Sequence, residues 1–243
     1  MKKILLLIIA LLPQLTAAQD TIRVGHKFRN FSQLELGTKR DAVYNLYQGE
    51  IKGLAIKTRT TEKVKINGKD YISITHTWAS PGTEWKGNFQ YLCELETMKP
   101  VQHIRTTKRA GVEAFEFSGD KVTGLDSVKK NTQMDFDLAL EEPTYNWEID
   151  LETYSLLPMK QGYHAVMNFY HPGGSTPPAF YHLKVTKSEK ISLPNGKTMD
   201  CWVVFTDYGG TQPTRFWYTK KGQNFVKMEG QYNQMTIRKE RIF

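Results

Sequence analysis

The chain has 243 residues, 40% of them hydrophobic and 12% aromatic, which suits one sizeable core, and no low-complexity linker divides it. Its 33 Lys and Arg outnumber 25 Asp and Glu, for a formal charge of +8. The lysines are scattered, however, and the densest basic run, "HIRTTKR" at 103–109, lacks the interleaved aromatics of a nucleic-acid groove, so nucleic acid is not an expected partner.

The first element is a leader. Lys2 and Lys3 precede an apolar run over 4–12, and "LTAAQD" follows, with Thr16 and Ala18 as the small residues before a cut at Gln19. The run is too short for a bilayer, which needs about 20 apolar residues. Cysteine is missing from the junction, so no lipid anchor is expected. The expectation is a signal peptide over 1–18 and a single β-rich domain over 19–243, periplasmic or secreted, without a transmembrane anchor.

Period-two patterns with turn residues between them then run along the chain, as in antiparallel sheets with one buried face. "GLAIKTRT" (53–60) puts Leu54 and Ile56 on one side and Lys57 and Arg59 on the other. Lys57, Lys63, Lys65 and Lys69 read as a solvated strand face. Asn67-Gly68 is a hairpin turn, because both residues tolerate positive φ. "NFQYLCELE" (88–96) and "AFEFSGDKV" (114–122) continue the rhythm, forming an N-terminal sheet half over about 40–140. Glu94 and Glu96 fall on the polar side, where burial cannot raise a carboxyl for acid–base work.

"NWEIDLETYSLLP" (146–158) breaks the rhythm. Trp147, Leu151 and Tyr154 stand at helical spacing, Asn146 is an N-cap, Glu148, Asp150 and Glu152 occupy the early turns, and Pro158 stops the chain. This predicts one short helix over about 147–157.

A second sheet half spans about 160–243. "NFYHPGGSTPP" (168–178) resembles an oxyanion loop, but no G-x-S-x-G elbow accompanies it. Pro172 has no N–H to donate, and Pro177 and Pro178 deny Ser175 a helix N-terminus. The loop reads as a turn, with His171 and Ser175 dispensable. "AFYHLKV" (179–185), a second Asn-Gly turn at 195–196, Lys221-Gly222 and the terminal "QMTIRKERI" (234–242) bring the total to about twelve strands. The six histidines show no metal-ligand spacing, and no cofactor motif occurs. His76, with Ile72, Ile74 and Trp78 on its strand face, reads as a hydrogen-bonded core residue.

Two cysteines remain. Alternation groups Cys93 with Phe89, Tyr91 and Leu95, and Cys201 with Met199, Val203 and Phe205, so both point inward. Two buried thiols and one long-range disulfide are both compatible with this.

"LPNGKTMDCWVVFTDY" followed by "RFWYTKKGQNFVKMEG" resembles the C-terminal part of an exported bacterial family, domain of unknown function 3108. "WEIDLETYSLLPMKQGYHAVMNFYHPGG" resembles the matching segment of Bacteroidetes-type members. Cys201-Trp202 and Phe216-Trp217 occupy the family's strand positions around the Asn195-Gly196 hairpin. The resemblance implies a strongly curved antiparallel sheet, like the half-barrels of lipoprotein carriers and lipocalins, and no catalytic residues.

The fold class expected is therefore all-β, mainly antiparallel, as a curved sheet or lipocalin-like partial barrel with one short helix. The function expected is non-catalytic binding of an apolar or amphiphilic small molecule, or of another envelope protein. Trp78, Phe89, Tyr91, Phe169, Trp202 and Phe216 line the pocket in this reading. A structural envelope role, or a hydrolase with pKa-shifted groups converging in a cleft, are the alternatives.

Overall fold

A computed structural model describes residues 19–82, 86–193, 196–210 and 212–242. The expected signal peptide and Asn195 lie outside the described residues.

The N-terminal strands are β1 (Gln19–Ile22), β2 (Gly37–Tyr47), β3 (Glu50–Ile66), β4 (Lys69–Ala79), β5 (Lys86–Glu94), β6 (Pro100–Thr107), β7 (Gly111–Phe117), β8 (Lys121–Gly124) and β9 (Asp137–Ala139). After them come β10 (Tyr145–Asn146), a 3-10 turn over Trp147–Ile149 and helix α1 (Asp150–Tyr154). The C-terminal strands are β11 (His164–Tyr170), β12 (Ala179–Ser192), β13 (Thr198–Thr206), β14 (Thr214–Thr219), β15 (Phe225–Tyr232) and β16 (Met235–Ile242). The four strands of four residues or fewer, β1, β8, β9 and β10, are too short for alternation to announce them.

All these strands join one sheet in the order β1-β11-β12-β13-β14-β15-β16-β2-β3-β4-β5-β6-β7-β8-β9, with β10 also on β11. Only β1 and β10 pair in parallel, both with β11. The two sequence halves are sewn together by an eight-residue ladder between β16 and β2. Between β3 and β4, Asn67 (φ 50°) and Gly68 (φ 80°) turn the chain as their side chains allow.

The sheet curves around the segment that follows β10. One core cluster unites Ile72, Ile74 and Tyr91 from β4 and β5 with Met167, Phe169, Val204 and Phe216 from β11, β13 and β14, and with Ile149, Leu151 and Tyr154 between them. Towards the two ends of the sheet, Phe115, Phe117 and Val122 of β7 and β8 pack with Tyr170 of β11. The barrel is not closed by hydrogen bonds.

The helix is shorter than its periodicity predicts. Asn146 caps the 3-10 turn that leads into it, its side chain accepting from the Glu148 N–H at 3.0 Å. Its end tightens early, because the N–H groups of Leu156 and Leu157 donate to the carbonyls of Thr153 and Tyr154, three residues back. Every residue of α1 is buried, acids included. Glu148, Asp150 and Glu152 therefore do more than complement a helix dipole.

Two face assignments need correction. On β3 it is Lys57, Arg59 and Thr61 that are buried, while Ile51 and Leu54 are exposed. The sheet's concave side is here polar. Cys201 lies with Val203, Trp217 and Val226 in a small cluster, whereas Cys93 belongs to the central core. Trp202, next to Cys201, packs on that central core, so Cys201 points to the opposite side of its strand. No bridge forms: both are free, buried thiols.

Candidate functional site

Directly opposed residues of antiparallel strands share a face, so the register fixes what the concave surface carries. Arg241 lies near Asp41 across the β16–β2 ladder, Asp41 opposes Lys57, and Lys57 opposes Trp78. One step along, Lys39, Arg59, His76, Phe89, Arg105 and Glu113 follow one another across six strands. A charged band thus runs inside the sheet.

Buried charge needs partners. Arg59 donates to Asp41 at 2.7 Å and also to Glu152 of α1. Burial opposes its charge, but the two carboxylates outweigh this and raise its pKa. Asp41 likewise ionises despite burial because of Arg59 and Arg241. Arg241 reaches Asp41 at 3.3 Å and Glu35 at 3.1 and 3.2 Å. The acids at 148, 150 and 152 face this basic wall.

Beside the band lies a cleft of about 790 Å³. Its sheet wall includes Val43, Gly53, Leu54, Ala55, Lys57, Trp78, Met228, Gly230, Ile237 and Lys239. Small residues, Gly53, Ala55 and Gly230, stand on this wall. A Cβ on Gly230 would come within 2.7 Å of Thr214 Oγ1. The opposite wall is Trp147, stacked on Tyr208 at 4.3 Å, with Glu148, Asp150 and His171.

Several ionisable groups on these walls are perturbed. Lys57, 2% exposed, has its pKa lowered to about 8 by burial and by the cations Lys239 and Arg59. Burial lifts Asp150 to about 6, and the Tyr208 hydroxyl stands 3.5 Å from its carboxylate. His171 Nε2 lies 2.6 Å from Glu148 Oε1. Burial resists charge on both, yet their contact outweighs it, raising the imidazole and lowering the carboxyl. The loop at 168–178 is a turn, as the prolines require, but His171 is not an idle turn residue.

Behind the cleft, Tyr91 is sandwiched between His76 and His103, with ring centroids 4.8 Å away on each side. Both imidazoles are held neutral by burial, His103 with a pKa of about 3. Their ring nitrogens and the Tyr91 hydroxyl meet no hydrogen-bond partner among the described residues. His76 is therefore a core residue, but not a hydrogen-bonded one.

The structure separates the six aromatic residues expected to line a pocket. Trp78 stands on the cleft wall. Tyr91, Phe169 and Phe216 are buried in the central core, and Phe89 and Trp202 pack against it. Trp147 and Tyr208 supply the other aromatic wall, together with Glu148 and Asp150, which read as helix-turn acids, and His171, which read as a turn residue. Among the described residues no cluster of three or more His, Cys, Asp or Glu is placed to hold a metal ion. No helix among them is long and apolar enough to cross a membrane.

The family model "Protein of unknown function (DUF3108)" matches residues 43–237, which include both cleft walls apart from Lys239. The chain belongs to the DUF3108 family. No curated protein matches this DUF3108 chain. Among solved structures, the "Crystal structure of a putative lipoprotein from Parabacteroides distasonis ATCC 8503" is similar at 12% identity and a TM-score of 0.34, covering 86% of this chain and 94% of that one.

Proposed function

We propose that this DUF3108 member is an exported, non-catalytic binding protein that takes an apolar or amphiphilic small molecule into the cleft between β2–β4, β15–β16 and the Trp147–Tyr154 segment. The observation that carries this reading is the cleft itself. Its volume of about 790 Å³ lies in the range of small-molecule sites, and it joins Trp78, Trp147, Val43, Leu54, Met228 and Ile237 to a few polar groups. Inward Gly53, Ala55 and Gly230 keep it from being filled by the protein's own side chains. Uptake of N-phenyl-1-naphthylamine, a neutral apolar dye, tests it. Saturable fluorescence enhancement that decanol displaces is expected; dye that stays dark at all concentrations overturns the reading.

A second reading rests on Glu148 and Asp150. Their carboxyl pKa values are pushed in opposite directions within one cleft, the pairing that acid–base hydrolysis uses. Turnover of a glycan or ester substrate, lost in Asp150→Asn, would favour hydrolysis over binding.

A further inference from the structure

Two cations in the cleft feel the acids of the facing wall but form no contact ion pair among the described residues. Lys57 comes from β3 and Lys239 from β16, with β2 between them. Both ammonium groups converge on one indole: Lys57 Nζ lies 5.0 Å and Lys239 Nζ 5.9 Å from the Trp78 ring centroid. Neither makes a hydrogen bond or ion pair among the described residues, whereas the neighbouring Arg59 and Arg241 are each matched to carboxylates. Lys57 is moreover almost wholly buried. The acids on the facing wall do not supply the missing charge at contact distance. Glu148 is engaged by His171, and the Asp150 carboxylate faces the Tyr208 hydroxyl.

Burying an ammonium beside a second one is costly unless an anion joins them. A cation over an indole keeps its outer N–H donors free for such an anion. The apolar part of the cleft, Val43, Ala55, Met228 and Ile237, continues along β2, β3, β15 and β16.

Resting on the reading of the cleft as a binding site, we infer that its ligand carries an acidic head. A carboxylate, sulfate or phosphate group is held between Lys57 and Lys239 at Trp78, and an apolar chain runs along Val43, Ala55 and Ile237.

Calorimetric titration of the protein at neutral pH with decyl sulfate, decanol and inorganic sulfate tests this. Decyl sulfate is expected to bind about tenfold or more tighter than decanol, and inorganic sulfate more weakly than either. Lys57→Met and Lys239→Met should each erase that margin while leaving decanol binding in place. Lys239 is partly exposed, so its variant stands as a control should Lys57→Met perturb folding. Decanol binding as tightly as decyl sulfate overturns the acidic head but leaves the cleft reading intact. Inorganic sulfate binding as tightly as decyl sulfate reduces the site to a free-anion site and overturns the amphiphile. No uptake of any of the three overturns both.

Discussion

Arg59 of β3 and Glu152 of α1 form an ion pair across 93 residues of sequence, with side chains only 3% and 5% exposed. The pair fastens the inserted segment to the concave wall of the sheet. Removing one partner leaves the other charged and buried, which typically costs about 3–5 kcal/mol. Arg59→Leu should lose stability of that order in urea unfolding. Adding Glu152→Leu should restore part of it, because it removes one of the two carboxylates that Arg59 leaves behind, while Asp41 keeps Arg241. A double variant no better than the single one would show that the pair does not hold the insert.

Lys57 opposes folding in the empty protein. Burial lowers its pKa from 10.5 to about 8, so between those values the unfolded chain binds more protons than the native one. Its cost is present in full below pH about 8 and is relieved as pH rises toward about 10.5. Lys57→Met should therefore be more stable than the parent at pH 7, by about 3 kcal/mol, and the advantage should shrink in alkali. An advantage that grows with pH would contradict the buried ammonium.

Alternation made the strands, the Asn67-Gly68 turn, the Asn146 cap and the curved β class legible. It identifies two faces but not which one is buried. On β3 the apolar residues Leu54 and Ile56 pointed to the wrong side, because the concave wall there carries Lys57 and Arg59 against acids from another segment. The clue was present in "WEIDLE", where Glu148, Asp150 and Glu152 alternate with Trp147, Ile149 and Leu151. A helix-dipole reading absorbed those acids without asking for cations. Trp78, large and inward, stands on the cleft wall. Tyr91, Phe169 and Phe216 share that pattern and are core, since burial alone does not separate packed rings from rings that line a cavity.

Filling the cleft should abolish uptake without unfolding the protein. Ala55 sits on the cleft wall between Gly53 and Lys57 on the inward side of β3. Ala55→Phe places a ring in open space, so N-phenyl-1-naphthylamine fluorescence should be lost while thermal unfolding changes little. Unchanged dye uptake would move the binding site elsewhere.

The cysteines should behave as two inert thiols. Burial raises Cys93 strongly and lifts Cys201 to about 11, so little of either is thiolate near neutral pH. Dithionitrobenzoate should react slowly with the native protein and rapidly with two equivalents once it is unfolded, without prior reduction. Absence of that second phase would mean that the thiols are bridged.

The most direct measurement is a crystal structure of the protein grown with decyl sulfate. The expected result is a sulfate group between the ammonium groups of Lys57 and Lys239, and a decyl chain between Trp78 and Trp147 along Val43 and Ala55. A cleft free of ligand density at saturating concentration, or a chain bound at another surface, would contradict the account.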